Sequence, residues 1–159
     1  MEIVLFEPEI PPNTGNIARL CAATNTKLNL VEPLGFKLEN RYLKRAGLDY
    51  WPHVEMEVWP HWSVLASYLR QNPNKRVVLT SSKHRPASLP LQDFKFTPDD
   101  CLVFGPETRG LPEELFQQYS AQVRIPMHPE GGRTINLSTC VGIILYQALI
   151  QCGIPENWL

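Results

Sequence analysis

The chain has 159 residues, with 15 Lys and Arg against 16 Asp and Glu for a net charge of -1, and 43% of its residues are hydrophobic. That length suits a single domain, residues 1–159, able to bury roughly 70% of the surface its unfolded chain exposes, with no disulfide or metal needed for stability. The charge balance excludes a general electrostatic attraction to nucleic acid, so any RNA partner has to be met by local patches or by patches shared between subunits.

Cys21, Cys101, Cys140 and Cys152 are far apart, form no CxxC pair and sit in apolar segments, the pattern of reduced core thiols in a cytoplasmic protein. His53, His61, His84 and His128 are equally scattered, so no metal site is expected. The first residues read as an apolar strand rather than a charged leader, and no apolar run approaches the roughly 20 residues that span a bilayer, so no membrane association is expected.

In chain order, Glu2 to Phe6 reads as the first strand, followed by a loop that Pro8, Pro11 and Pro12 stiffen. Asn13 or Thr14 is expected to cap a helix from about Gly15 to Thr24, with Ile17, Leu20 and Cys21 inward and Arg19 off that stripe. Leu28 to Val31 predicts a second strand. A short helix near Glu39 to Ala46 would put Arg41, Lys44 and Arg45 at i, i+3 and i+4 on one face, either a solvated surface or a phosphate-contacting patch. A strand near Val54 to Val58 and a helix from about His61 to Gln71, with Val64, Leu65, Tyr68 and Leu69 inward, come next. Arg76 to Ser81 is a strand whose end turns polar and basic through Lys83, His84 and Arg85, and ligands bind at such carboxyl ends in α/β proteins. Pro86 to Asp100 shows no periodicity and is expected to be a functional loop or lid.

Cys101 to Phe104 delivers a strand into Gly105-Pro106, with Gly110 before a helix near Pro112 to Tyr119. Glycines there let backbone groups approach a ligand without an intervening side chain. With no GxxxxGK[ST] and no GxGxxG anywhere, the turn suits neither a triphosphate nor a dinucleotide. Val123 to Met127 is expected to be the last strand, followed by a glycine-rich turn and a helix from about Leu137 to Cys152 capped by Asn136 or Ser138. That helix has apolar stripes on two sides, Val141, Ile144, Leu145, Ala148 and Leu149, and Ile143, Tyr146 and Ile150. Burial on two sides suggests packing on the sheet and on a second subunit. The alternation of strands and helices predicts an α/β fold, a mostly parallel sheet with helices on both faces. On these residues alone, a non-catalytic RNA-binding or nucleotide-sensing α/β module built on the Arg41, Lys44, Arg45 face stands beside an enzyme.

Three separated segments, Glu7 to Arg19 (EPEIPPNTGNIAR), Leu102 to Leu111 (LVFGPETRGL) and Ile125 to Ser138 (IPMHPEGGRTINLS), together resemble the motifs of the SPOUT class of S-adenosylmethionine-dependent RNA methyltransferases. The short chain is similar to the members that methylate the ribose 2'-hydroxyl of the tRNA wobble nucleotide. The resemblance implies a homodimer, a C-terminal trefoil knot that periodicity could not reveal, and a tRNA anticodon stem-loop as partner, with leucine tRNA as the expected substrate. It also implies S-adenosylmethionine as cofactor, held by Leu79 and Thr80, by Gly105, Glu107 and Gly110, and by Ile125, Met127, Thr134, Asn136, Leu137 and Ser138. Arg19 corresponds to the catalytic arginine of the first motif, its loop shaped by Asn13 and Gly15; Arg41, Lys44, Arg45 and Arg133 are the expected RNA contacts. After the fourth strand relatives commonly carry Thr-Lys-Gly, where this chain has Ser82-Lys83-His84.

Overall fold

The computed structural model describes residues 1–39, 50–131 and 134–158. Among these, β1 (Glu2–Phe6), β2 (Lys27–Val31), β3 (Met56–Trp59), β4 (Arg76–Ser81), β5 (Ser88–Pro90), β6 (Asp100–Phe104) and β7 (Gln122–Arg124) form one sheet in the order β3-β2-β1-β6-β4-β7-β5. Every strand pairing is parallel. The central strands β1 and β6 are buried at all their positions, which is why they read as unbroken runs rather than alternating ones.

Helices cover both faces. On one, α1 (Pro11–Ala23) and α4 (Leu137–Cys152) bury Ile17, Ala18, Val141, Ile144 and Leu145 against Ile3, Leu5, Leu30, Leu102 and Phe104. On the other, α2 (Trp62–Arg70) and the short α3 (Glu113–Gln118) bury Leu65, Leu69 and Leu115 against Val4, Val31, Leu79 and Val103. Parallel strands point their carboxyl ends the same way, so the loops after β4, β6 and β7 open on one edge.

Several expectations need correction. Helix α1 begins at Pro11, not Gly15, and its N-cap is Ile10 with no side-chain cap bond. Proline suits the first turn of a helix, where its missing N–H has no partner to lose, so the two prolines start the helix rather than delay it. In α2, Val64 and Tyr68 face outward at 42% and 43% exposure, and Ala66 takes the inward place beside Leu65 and Leu69. The third strand lies at Met56–Trp59, starting two residues and ending one residue later than expected, and the last at Gln122–Arg124, so Ile125 to Met127 run on as loop. The Pro86 to Asp100 stretch is no lid. It carries the edge strand β5, packs Phe94 against Phe96 with ring centroids 4.7 Å apart, and is held by Gln151 of α4, whose Nε2 donates to the Phe94 carbonyl at 3.0 Å. The segment bearing Arg41, Lys44 and Arg45 lies outside the described residues, as does Arg133. Cys21 and Cys101 are buried free thiols, and desolvation pushes each up to about 12.

At the amino edge of the sheet, the Glu2 carboxylate meets the Lys75 ammonium at 2.7 Å and accepts from Asn29 Nδ2 at 3.0 Å. Burial alone would raise the Glu2 pKa; the bond and charge of Lys75, with Asn29 and Lys27, outweigh it and hold the carboxyl below its ordinary 4.5. A depressed carboxyl contributes stability above its unfolded value and loses it as pH falls through the lower folded one. Glu2→Gln therefore costs about 1–3 kcal/mol at neutral pH. In urea titrations followed by circular dichroism, the gap between variant and wild type narrows below about pH 4.5.

Candidate active site

The loops after β4, β6 and β7 and the start of α1 enclose a cavity of about 760 Å³. Its shape comes from the turn after β6. A Cβ on Gly105 would lie 2.4 Å from the Leu111 nitrogen and 2.5 Å from the Gly110 carbonyl carbon, so the returning chain crosses directly over Gly105. Gly110 makes that return at φ +70, with its N–H donating to the Pro106 carbonyl at 3.0 Å.

Glu107, in the same turn, reaches across to the loop before α1. Its carboxylate accepts from the backbone N–H groups of Glu9 at 2.9 Å and Ile10 at 3.1 Å and from Asn13 Nδ2 at 3.1 Å. Glu9 answers by accepting from Thr108 N at 3.0 Å and from Thr108 Oγ1 at 2.9 Å, and Arg109 pairs with Glu7. The Asn13 side chain then accepts from Asn136 Nδ2 at 2.9 Å, while Asn136 Oδ1 caps α4 by accepting from Ser138 N at 2.9 Å and Thr139 N at 3.3 Å. A chain of hydrogen bonds through Glu107, Asn13 and Asn136 thus fastens three segments that lie far apart in sequence. Asn13 is only 6% exposed, so removing its amide strands partners on both sides. Asn13→Ala is expected to lower stability by about 1–3 kcal/mol in urea denaturation.

Of the residues expected at a cofactor pocket, Thr80, Gly105, Glu107, Gly110, Ile125, Met127, Thr134, Asn136 and Leu137 line this cavity. Leu79 does not: it is fully buried in the core under α2 and α3. Ser138 does not either; its N–H and Oγ are both held by Asn136 Oδ1. Thr80 is fixed by donating its hydroxyl to the Val103 carbonyl at 2.9 Å.

Arg19 stands apart, exposed on α1 and off the cavity wall, which stops at Asn13. Its guanidinium carbon lies 4.8 Å from the centre of the Tyr50 ring, and Nη2 approaches the Tyr50 hydroxyl at 3.5 Å. Sequence spacing did not single out the wall formed by Arg85, Glu113 and Phe116. Arg85 donates to both Glu113 oxygens at 2.7 and 2.8 Å and stacks 3.7 Å over the Phe116 ring, a pairing across 28 residues that no local pattern announces. No group of three His, Cys, Asp or Glu able to hold a metal occurs among the described residues, and no described helix is long and apolar enough to cross a membrane.

The tRNA (cytidine(34)-2'-O)-methyltransferase of Methylovorus glucosotrophus is 47% identical to this chain over 152 residues, 94% of each chain. The protein of the same description from Escherichia coli K12 is 44% identical over 157 residues, 98% of this chain and 96% of its own. A solved structure concerned with 2-OH methylation of C/U34 on tRNA superposes with a TM-score of 0.86 at 41% identity and covers 94% of both chains. Residues 1–146 match the model of the SpoU rRNA Methylase family, and the chain belongs to that family.

Proposed function

We propose that this chain transfers a methyl group from S-adenosylmethionine to the ribose 2'-hydroxyl of the wobble nucleotide, cytidine or uridine 34, in a tRNA anticodon stem-loop, with leucine tRNA among its substrates. One observation carries the reading. The three segments that resemble methyltransferase motifs converge on a single cavity in a chain 47% identical to a relative named for that reaction.

The cavity fits the donor. Its volume of about 760 Å³ lies in the range of small-molecule sites. Backbone is laid bare at Gly105 and Gly110, apolar side chains of Phe104, Ile125, Leu137 and Ile144 line it, and the Gly105–Gly110 turn carries no lysine that would suit a triphosphate. Bound S-adenosylmethionine supplies an electrophilic methyl on a cationic sulfur.

The chain's own part is positioning and charge. The apolar side chains of Phe104, Ile125, Leu137 and Ile144 disfavour a charged ground state beside them. Arg19 meets the ribose rather than the donor: its guanidinium, steadied over Tyr50, orients the 2'-hydroxyl and stabilises the oxyanion that develops there. A guanidinium holds its proton above a pKa of about 12, so the proton goes elsewhere, to a phosphate oxygen of the substrate.

The C-terminal trefoil knot and the single SPOUT domain over residues 1–159 belong to the same reading, as the resemblance to the SPOUT class implies. A cytoplasmic location follows from the tRNA substrate. The reading includes a homodimer, and the exposure of Ile143, Tyr146 and Ile150 on one side of α4, at 39%, 46% and 60%, supports an interface there. Sedimentation equilibrium is expected to return twice the chain mass; Tyr146→Asp shifts it to the monomer.

The reaction is tested by incubating the protein with unmodified bulk tRNA and methyl-labelled donor, followed by nuclease digestion and nucleoside mapping. Label in 2'-O-methylcytidine or 2'-O-methyluridine at position 34 is the expected result. Label on a base, at another position or nowhere overturns it.

A further inference from the structure

The polar end of β4 holds a group of cations at the edge of the donor cavity: Lys83 and Arg85 line that cavity, and Arg124 lies off it. Ser81 pairs in register with Arg124 on the neighbouring strand, so the two side chains leave the sheet on the same face, the one carrying α3. The Ser81 hydroxyl accepts from Lys83 N at 3.1 Å and from Arg85 Nε at 3.3 Å and donates to the Lys83 carbonyl at 2.9 Å. The Lys83 backbone and the Arg85 guanidinium are thereby tied to one oxygen, with Arg124 opposite Ser81 in the strand register.

The charges there do not cancel. Glu113 neutralises Arg85, and Arg109 across the cavity is neutralised by Glu7. Neither Lys83 nor Arg124 has an ion-pair partner among the described residues, and Arg124 Nε is buried without any hydrogen-bond partner. A buried guanidinium donor left unmatched is costly unless a ligand or water completes it. Ser82, Lys83 and His84 are exposed, which puts the free ammonium on the rim, open to a macromolecule rather than sealed in with a small one. In a chain of net charge -1, such a local excess is the form an RNA-contacting patch has to take.

We propose that Lys83 and Arg124, arranged around Ser81, bind a backbone phosphate of the substrate RNA at the mouth of the donor cavity and so set the register in which the ribose is presented. The proposal rests on the tRNA-methylating reading above. A phosphate contact positions the nucleic acid without reading its sequence, so the patch contributes affinity and register rather than base choice.

The test measures binding of end-labelled unmodified tRNA by fluorescence anisotropy from about 0.05 to 0.2 M salt, with S-adenosylmethionine affinity followed by calorimetry. Lys83→Ala and Arg124→Gln are expected each to weaken tRNA binding about five- to tenfold and to lower the slope of log affinity against log salt by about 1. Arg124 lies off the donor cavity, so Arg124→Gln leaves donor affinity within about twofold, and Lys83→Arg keeps most of the tRNA binding because it keeps the charge. Lys83 is exposed, so its variants keep the test intact if Arg124→Gln fails to fold. Unchanged tRNA affinity and salt slope overturn the proposal, as does a loss confined to donor affinity, which would assign the cations to the donor's carboxylate. If wild type transfers no methyl group to tRNA, the underlying functional reading falls; if wild type transfers it and the Lys83 variants bind tRNA normally, only this inference falls.

Discussion

Replacing Arg19 by Ala is expected to lower kcat for methyl transfer by about a hundred- to a thousandfold, the usual cost of removing a preorganised group that stabilises developing oxyanion charge. Donor affinity is expected to stay within about twofold, because Arg19 lies off the cavity wall and shares no hydrogen bond with the Glu107, Asn13 and Asn136 chain. Single-turnover kinetics with unmodified tRNA, run beside calorimetry with S-adenosylmethionine, separate the two quantities. Arg19→Lys keeps the charge but loses the planar fork, and is expected to recover only part of the rate. Equal loss of rate and donor binding in Arg19→Ala would remove the residue from the chemistry and make it a structural part of the donor site.

Gly105→Ala is the change expected to do most harm to the cavity itself. The new methyl group would sit 2.4 Å from the Leu111 nitrogen and 2.8 Å from the Gly110 Cα, and backbone cannot yield there as a flexible side chain can. Relief requires the Gly105–Leu111 turn to move, which breaks the Glu107 clamp on the α1 loop. A destabilisation of about 3 kcal/mol or more is expected, near the upper end for overpacking, with calorimetric donor binding lost. A Gly105→Ala protein with wild-type Tm and donor affinity would show that the turn is free to shift and is not what shapes the site.

The fold was legible where the physics is local. β1, β4 and α4 occupy the segments their apolar patterns mark, because a central parallel strand reads as one apolar run and Asn136 caps α4 with its own side chain. The segments that line the cavity were legible as three motif-like stretches, and Gly105 and Gly110 announced the turn by residue type alone. Tertiary choices were less so. Whether Pro11 ends a loop or starts a helix depends on Glu107, ninety-six residues away in sequence, which takes up the N–H groups before the helix. Val64 and Tyr68 belong to the apolar stripe of α2 by spacing, yet the face that meets the sheet is rotated to bring in Ala66, and Tyr68 packs instead on the rim of Trp59, ring centroids 5.0 Å apart. β5 is three residues long and ends in Pro90, too short and too broken for periodicity to register. The Arg85–Glu113 wall joins residues that meet only once the sheet is assembled.

A crystal structure of the protein grown with S-adenosylhomocysteine tests the central claim most directly. The account predicts the nucleoside seated against the Gly105–Gly110 and Ile125–Leu137 loops, with its sulfur facing the opening from which the ribose arrives. Density for that ligand anywhere else on the chain, with this cavity left to solvent, would contradict it.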